Sequence, residues 1–200
     1  ADLDVAVGKD LTTWAAQGYY NLELQPVITV DMDYLKPATS ASLIVAQKAP
    51  DKWVDFHHAL LAYFATQYQA SNGTVVQNLE ASWKQVKTIA AEVGVPSDVI
   101  DTFPLNAAED YLKASTTAWQ NANYSDRNNG LGTPELIKDH STVIALHTPL
   151  TSAKQTIAEV FGITDSASPV PTETPAPEAT EPSQSGTGEA QSSETTDSSN

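Results

Sequence analysis

The last 36 residues of this 200-residue chain cannot contribute to a hydrophobic core. From Asp165 to Asn200 the only apolar side chains are Val170 and four alanines, and the stretch holds five of the twelve prolines. A segment of this composition cannot bury enough surface to offset the conformational entropy lost on ordering it. We therefore expect residues 165–200 to be a disordered acidic tail rich in Ser, Thr, Pro and Glu, and residues 1–164 to form one domain.

Charge and the absence of cysteine exclude several classes of protein. The chain has 25 acidic and 10 basic side chains and a sequence pI near 4.3. Nucleic acids attract clustered Lys and Arg, so we expect no nucleic-acid partner. The apolar runs are far shorter than the roughly 20 residues that cross a bilayer, so we expect no membrane span. Without cysteine, these residues provide no thiolate nucleophile, and we predict neither a metal site nor a cofactor.

Apolar spacing predicts a helix-rich chain with a few short strands. Helices are predicted at residues 11–18, at 37–69 with a break at Ala49-Pro50, at 79–93, from Ser97 towards Phe103, at 106–122 and at 153–161. Strands are predicted at residues 20–25 and, as a hairpin, at 136–137 and 142–146. Residues 1–7 alternate as a strand does, but they could equally be the first turns of the helix that ends at Gly18. This order of elements predicts an α/β or α+β fold.

Some of these predictions concern single side chains. Thr39 or Ser40 is predicted to cap the helix that follows it. His57 and His58 are adjacent on a helix and point about 100° apart, so they cannot share a metal ion, and we expect one of them to face solvent. The inward face of the helix at residues 106–122 is predicted to carry Tyr111, Ala114 or Ser115, Ala118 and Ala122.

Four segments carry a set of motifs that occur together in one known family. They are LTTWAAQGYYNLELQPVI, APDKWVDFHHALLA, WKQVKTIAAEVGVPSDVIDTF, and GLGTPELIKD followed by PLTSAKQTIAEVFG. Together they resemble the DsbA-like branch of the thioredoxin superfamily, in the secreted bacterial form with a helical insertion. The resemblance covers roughly Leu11 to Gly162.

This resemblance implies a thioredoxin-like α/β fold in which residues from about 37 to 122 form the helical insertion. It implies a cis peptide bond between Thr133 and Pro134, in a loop where Gly132, Thr133 and Pro134 present backbone to an extended polypeptide or thiol substrate. It also implies an extracellular or cell-envelope protein that acts as a thiol-disulfide oxidoreductase on exported proteins.

The chain departs from the family at the redox centre. The family carries Cys-x-x-Cys at the N-terminus of its first helix, directly after the central strand of a sheet with the strand order 4-3-1-2. In this sequence both features would fall ahead of Ala1. The chain as given therefore contains no catalytic residue, and we expect its sheet to be opened or re-paired.

Three functions remain open at this point. The chain could be a portion of an oxidoreductase whose first strand and Cys-x-x-Cys precede Ala1, or a non-catalytic binding or structural module on the same scaffold. It could also be a thiol-independent enzyme that isomerises small molecules with glutathione bound at the proline loop. The sequence upstream of Ala1 would distinguish them: a strand with Cys-x-x-Cys, a signal peptide ending at Ala1, or a strand followed by serine or another residue, respectively.

Overall fold

The computed structural model describes residues 1–70, 75–127, 130–146 and 150–164. Within these ranges the chain forms seven α-helices and one two-stranded sheet. The helices are α1 (Lys9–Ala16), α2 (Leu35–Lys48), α3 (Pro50–Gln69), α4 (Leu79–Glu92), α5 (Ser97–Ile100), α6 (Glu109–Asn121) and α7 (Ala153–Phe161), and the strands are β1 (Leu136–Lys138) and β2 (Thr142–Ile144). A π-helical turn at Asp4–Gly8 leads into α1, and 3-10 turns lie at Val75–Gln77 and Leu150–Ser152.

Local sequence signals set most helix boundaries. Pro50 occupies the first position of α3, where its missing N–H leaves no hydrogen bond unmade, and this confirms the predicted break after Ala49. Asn78 caps α4, because its side chain accepts a 2.8 Å hydrogen bond from the backbone N–H of Ala81. Gly94 and Gly162 follow α4 and α7 with positive φ angles of 81° and 64°, the left-handed conformation that ends a helix.

The larger hydrophobic core lies among α2, α3, α4 and α5. Phe56 of α3 is fully buried and stacks at 6.0 Å on Phe103, the residue that closes the short α5 segment. Tyr34 is also buried, and its hydroxyl donates to the carbonyl of Leu60 at 3.0 Å. The buried residues of this core are Tyr34, Ala38, Ala41, Val45, Ala49, Phe56, Leu60, Val76, Val86, Ile89, Ala90, Val95, Val99 and Phe103. The helical segment predicted to be an insertion therefore has its own core.

A second, smaller core joins the two ends of the described chain. It contains the buried residues Leu3, Val7, Leu11, Trp14, Ala153 and Ile157. Tyr20 packs against Phe161 with a ring separation of 4.6 Å, and Leu136 of β1 also borders this core. The first helical turns, α7 and the hairpin are thus held together by one apolar cluster.

The predicted hairpin is present, with a shorter second strand. β1 and β2 pair antiparallel, with Ile137 opposite Val143. Ser125 adds a parallel bridge to the outer edge of β2, because it donates to Ser141 and accepts from Val143 at 2.8 and 2.9 Å. The described part of the chain is a helix-rich α/β structure whose sheet is limited to this hairpin and bridge.

The predicted strand at residues 20–25 is wrong. This segment is irregular and runs beside α6, where Ser115 Oγ donates to the carbonyl of Pro26 at 2.6 Å and Ile28 N–H donates to Thr116 Oγ1 at 2.8 Å. Alternation of apolar and polar residues indicates an extended, half-buried segment. A β-strand also requires a neighbouring segment with which its backbone can form hydrogen bonds. The alternating residues 1–7 belong to the first helical turns, which settles the alternative left open above.

Two predictions about side chains in helices also need correction. α2 begins at Leu35, so neither Thr39 nor Ser40 caps it. In α6 the buried face carries Leu112, Ser115 and Trp119, whereas Tyr111 is 42% exposed. In α6 a tertiary contact decides the orientation, because the indole of Trp119 bonds to Glu135 in the loop region before β1. The predicted tail at residues 165–200 lies outside the described residues.

Candidate functional site

The loop before β1 is the part of the structure that matches the predicted substrate-binding loop. Gly132, Thr133 and Pro134 are all exposed, and the peptide bond between Thr133 and Pro134 is cis, as the resemblance implied. Gly130 has a φ of 73°, a conformation that glycine adopts without steric cost, and it turns the chain into the loop. The three residues thus present their backbone to solvent immediately ahead of a strand.

One side of this loop is fixed by the segment that precedes α2. The hydroxyls of Thr29 and Thr133 lie 3.1 Å apart and form a hydrogen bond. The chain leading to Thr29 is itself held on α6 by the bonds at Pro26 and Ile28 described above. The loop therefore contacts a segment whose position is set by a helix, although the two threonines are 104 residues apart in sequence.

The other side of the loop is fixed by a buried ion pair. Glu135 directly follows Pro134, and its carboxylate pairs with Arg127 through two bonds: Nε to Oε1 at 2.8 Å and Nη2 to Oε2 at 2.6 Å. Trp119 of α6 adds a third bond, from its indole Nε1 to Glu135 Oε2 at 2.6 Å. The side chains of Arg127 and Glu135 are only 11% and 8% exposed. A two-pronged arginine–carboxylate pair of this kind fixes both distance and orientation.

Arg127 also links this network to the end of α6. Its Nη1 donates to the carbonyl of Trp119 at 3.1 Å and to that of Ala122 at 2.8 Å, at the C-terminus of the helix, where the regular pattern of backbone bonds ends. The guanidinium lies 4.7 Å from the ring centre of Tyr124 and 5.7 Å from that of Trp119, within the range of cation–π attraction. Arg127 therefore joins the C-terminus of α6 to the residue after Pro134.

The electrostatics of this network favour the charged state of both partners. The hydrogen bond from Arg127, supported by the one from Trp119, lowers the pKa of Glu135 in spite of burial, and the same bond raises the pKa of Arg127. Since the carboxylate is buried and already accepts three hydrogen bonds, it is not free to act as a general base. Residues 131–134 carry no titratable side chain. The loop can bind a partner through backbone and hydroxyl groups, but it supplies no acid, base or nucleophile.

A second polar cluster lies at the start of the chain. His58 of α3 bonds through Nδ1 to both carboxylate oxygens of Asp4, at 2.8 and 2.9 Å, and its Nε2 lies 3.4 Å from Thr12 Oγ1. Gly8 makes this approach possible, because a side-chain carbon there would overlap Asp4 Oδ1 and lie 2.8 Å from His58 Cε1. The cluster connects the π-helical turn and α1 to the middle of α3.

Asp4, His58 and Thr12 are a carboxylate, an imidazole and a hydroxyl, the groups found in a nucleophilic catalytic triad. Their geometry, however, favours a structural contact. The Thr12 hydroxyl also lies 3.1 Å from the carbonyl of Gly8, as a helical threonine does when it bonds back to its own helix. A groove of about 390 Å³ between the first turn and α3 is lined by other residues, namely Asp2, Val5, Ala6, Ala62, Ala65 and Thr66. Thr12 does not line this groove, and the cluster connects the first helical turns to α3.

The expectation that one of the two adjacent histidines faces solvent is wrong. The side chain of His58 is 13% exposed, and His57 is also partly buried, with its ring 5.5 Å from that of Trp53. Burial lowers the pKa of His57, against the opposing attraction of Asp4. The π-helical turn contacts His58 through Asp4, whereas the ring of His57 lies against Trp53 one turn earlier in α3.

The described residues contain no group of three or more His, Cys, Asp or Glu side chains arranged to hold a metal ion. Among the same residues, no helix is long and apolar enough to cross a membrane.

Trp119, Arg127 and Glu135 were not among the residues predicted for the site. One sequence signal could have indicated them, because Arg127 is the only arginine in the chain and it stands in a turn-rich stretch eight residues before Glu135. Arginine is the cation best suited to a buried two-pronged pair with a carboxylate. The pairing of Arg127 with Glu135 depends on how the loop packs against α6, and no local sequence pattern predicts that packing.

Comparison with known proteins gave no relatives: neither a protein-family model, nor a curated protein, nor a solved structure matches this chain significantly.

Proposed function

We propose that this chain is a portion of a DsbA-like thiol-disulfide oxidoreductase that acts on exported proteins outside the cytoplasm. Its scaffold would be a thioredoxin-like fold with a helical insertion between about residues 37 and 122. The observation that carries the proposal is the exposed Gly132-Thr133-Pro134 loop, held from one side by Thr29 and from the other by the buried Glu135. An exposed loop with contacts to the rest of the structure on both sides is suited to binding an extended chain through its backbone.

In the complete protein the chemistry would need two cysteines, which are not among these 200 residues. In the oxidising direction, a substrate thiolate attacks one sulfur of the enzyme disulfide, forms a mixed disulfide and displaces the second enzyme sulfur as a thiolate. A second substrate thiolate then attacks the substrate sulfur of the mixed disulfide, which leaves the substrate oxidised and the enzyme as a dithiol. The role of the present chain is to hold the substrate backbone beside those sulfurs.

The absence of cysteine favours one alternative, a non-catalytic binding or structural module on the same scaffold. This alternative shares the binding loop with the main proposal and differs from it only in redox chemistry. Peptide binding therefore tests what the two functions have in common, and the thiol content of the native protein separates them.

Binding at the loop can be tested with the isotope-labelled 200-residue chain and reduced, alkylated insulin B chain as an unfolded polypeptide. We expect NMR shift changes at the amides of Thr29, Gly132 and Thr133. Thr133→Arg should weaken binding about tenfold or more, because it places a long charged side chain where the backbone is approached. Thr88→Arg is the matched control, since Thr88 is an exposed threonine in the middle of α4.

Shift changes confined to other parts of the surface, or equal affinities of the Thr133→Arg and Thr88→Arg variants, would contradict binding at this loop. The same applies if the wild-type chain produces no shift changes at millimolar peptide.

A further inference from the structure

We infer that Trp119, Arg127 and Glu135 act together as positioning residues that set the place of the Gly132-Thr133-Pro134 backbone. The inference rests on the proposed function in one respect, the identification of this backbone as the binding surface. It adds residues that neither the motifs nor the resemblance assigned.

The first step of the argument is that Glu135 cannot move independently. Its carboxylate accepts two bonds from Arg127 and one from Trp119, all between 2.6 and 2.8 Å. Because Glu135 is covalently next to Pro134, fixing its side chain restricts the end of the loop. The two side chains are only 11% and 8% exposed, so most of the surface of the pair is shielded from water.

The second step is that both sides of the loop are tied to the same helix. Arg127 bonds the carbonyls of Trp119 and Ala122 at the end of α6. On the opposite side, Ser115 and Thr116 of α6 hold the segment that leads to Thr29, which bonds Thr133. Both sides of the loop are therefore anchored to helix α6. The ion pair with Arg127 is the contact that anchors Glu135.

The third step concerns what a buried ion pair is suited to do. Shielding two charges from water is costly, so the pair is weak evidence of added stability. Its two-pronged contact, next to Pro134, supports the geometric role. The exposed pair Lys84–Glu80 in α4 has a similar length, 2.7 Å, but its side chains are 66% and 69% exposed and it adjoins no loop of this kind. It provides a matched control.

The test uses the full 200-residue chain and the variants Glu135→Gln, Arg127→Lys and Glu80→Gln. Gln keeps the shape of Glu without its charge, and Lys keeps the charge of Arg without the two-pronged geometry. In the wild type, we expect the indole N–H resonance of Trp119 to show its short bond to a carboxylate and the amides of Gly132, Thr133 and Glu135 to have order parameters near those of rigid backbone, about 0.85.

In Glu135→Gln and Arg127→Lys, we expect the Trp119 indole resonance to shift and the loop order parameters to fall towards about 0.6. Affinity for reduced, alkylated insulin B chain should fall about tenfold, because the loop must then be ordered on binding. The amide spectrum of α3 should stay unchanged, which shows that the fold is retained. Glu80→Gln should alter none of these measurements.

Loop order parameters that stay at the wild-type value in both variants would overturn the inference, as would a loosened loop with unchanged peptide affinity. If wild-type protein binds no peptide while the loop still loosens in the variants, the positioning role stands and the proposed function fails. If Glu135→Gln does not fold, Arg127→Lys decides the question, because it retains a cation beside the carboxylate.

Discussion

Single residues in this protein determine which side chains can come into contact. Gly8 has no side chain, so Asp4 and His58 can approach to hydrogen-bond distance beside it. The sole arginine, Arg127, forms a two-bond ion pair with Glu135. Sequence reasoning recognised the loop residues Gly132 to Pro134 because they form a contiguous motif. It could not recognise the Asp4–His58 and Arg127–Glu135 contacts, because each joins residues that only the folded chain brings together.

His57 gives the clearest expectation for pH. Burial lowers its pKa in the folded protein below the ordinary value of about 6.5, so as the pH falls the unfolded chain takes up a proton before the folded chain does. His57 should therefore favour folding fully above about pH 6.5 and progressively less below it. Replacing it by glutamine should make the free energy of unfolding, measured in urea, fall less between about pH 7.5 and about pH 5 than it does in the wild type.

His140→Gln is the control for removing a histidine, since the side chain of His140 is 81% exposed. If His57→Gln showed the same loss of stability on acidification as the wild type, the burial of His57 described here would be wrong.

Secondary-structure elements were predictable where their signals are local. Pro50, Gly94 and Gly162 mark boundaries that depend on backbone conformation alone, and these were confirmed. The strand at residues 20–25 was wrong because pairing requires a second chain segment, which the alternation does not encode. Ser40 illustrates the same limit: its hydroxyl does act at a helix N-terminus, but at that of α6 and not of its own helix.

The capping role of Ser40 leads to a stability prediction. Ser40 is 3% exposed, and its Oγ accepts bonds from the backbone N–H groups of Ala107 and Ala108 at 3.1 and 2.9 Å. Ser40→Ala leaves the backbone N–H of the buried Ala108 without this partner, which should cost about 1 to 3 kcal/mol of unfolding free energy. Faster hydrogen exchange in the first turn of α6 should accompany the loss.

Thr117→Ala is the matched control, because the Thr117 hydroxyl is exposed and bonds only the carbonyl of Lys113 in its own helix. Its effect should stay within about 0.5 kcal/mol. Equal effects of the two substitutions in urea unfolding would show that Ser40 does not act as a cap.

At the scale of the whole molecule, most of the buried apolar side chains among the described residues belong to one of two cores. One lies within the helical segment, and the other joins the first helical turns to α7 and the hairpin. The helical segment and the hairpin were predictable, because apolar periodicity and turn residues recur along each.

The number of thiols in the native protein is the most direct test of the proposal that this chain is part of a thiol-disulfide oxidoreductase. Protein isolated from the cells that produce it should be fully reduced, denatured and titrated with a thiol reagent, and its intact mass should be measured alongside. If the protein is an oxidoreductase, we expect two cysteines per molecule and a mass larger than the 21.3 kDa of these 200 residues. A native protein with no titratable thiol would contradict assignment to an oxidoreductase and would leave the non-catalytic module and the thiol-independent enzyme as the remaining functions.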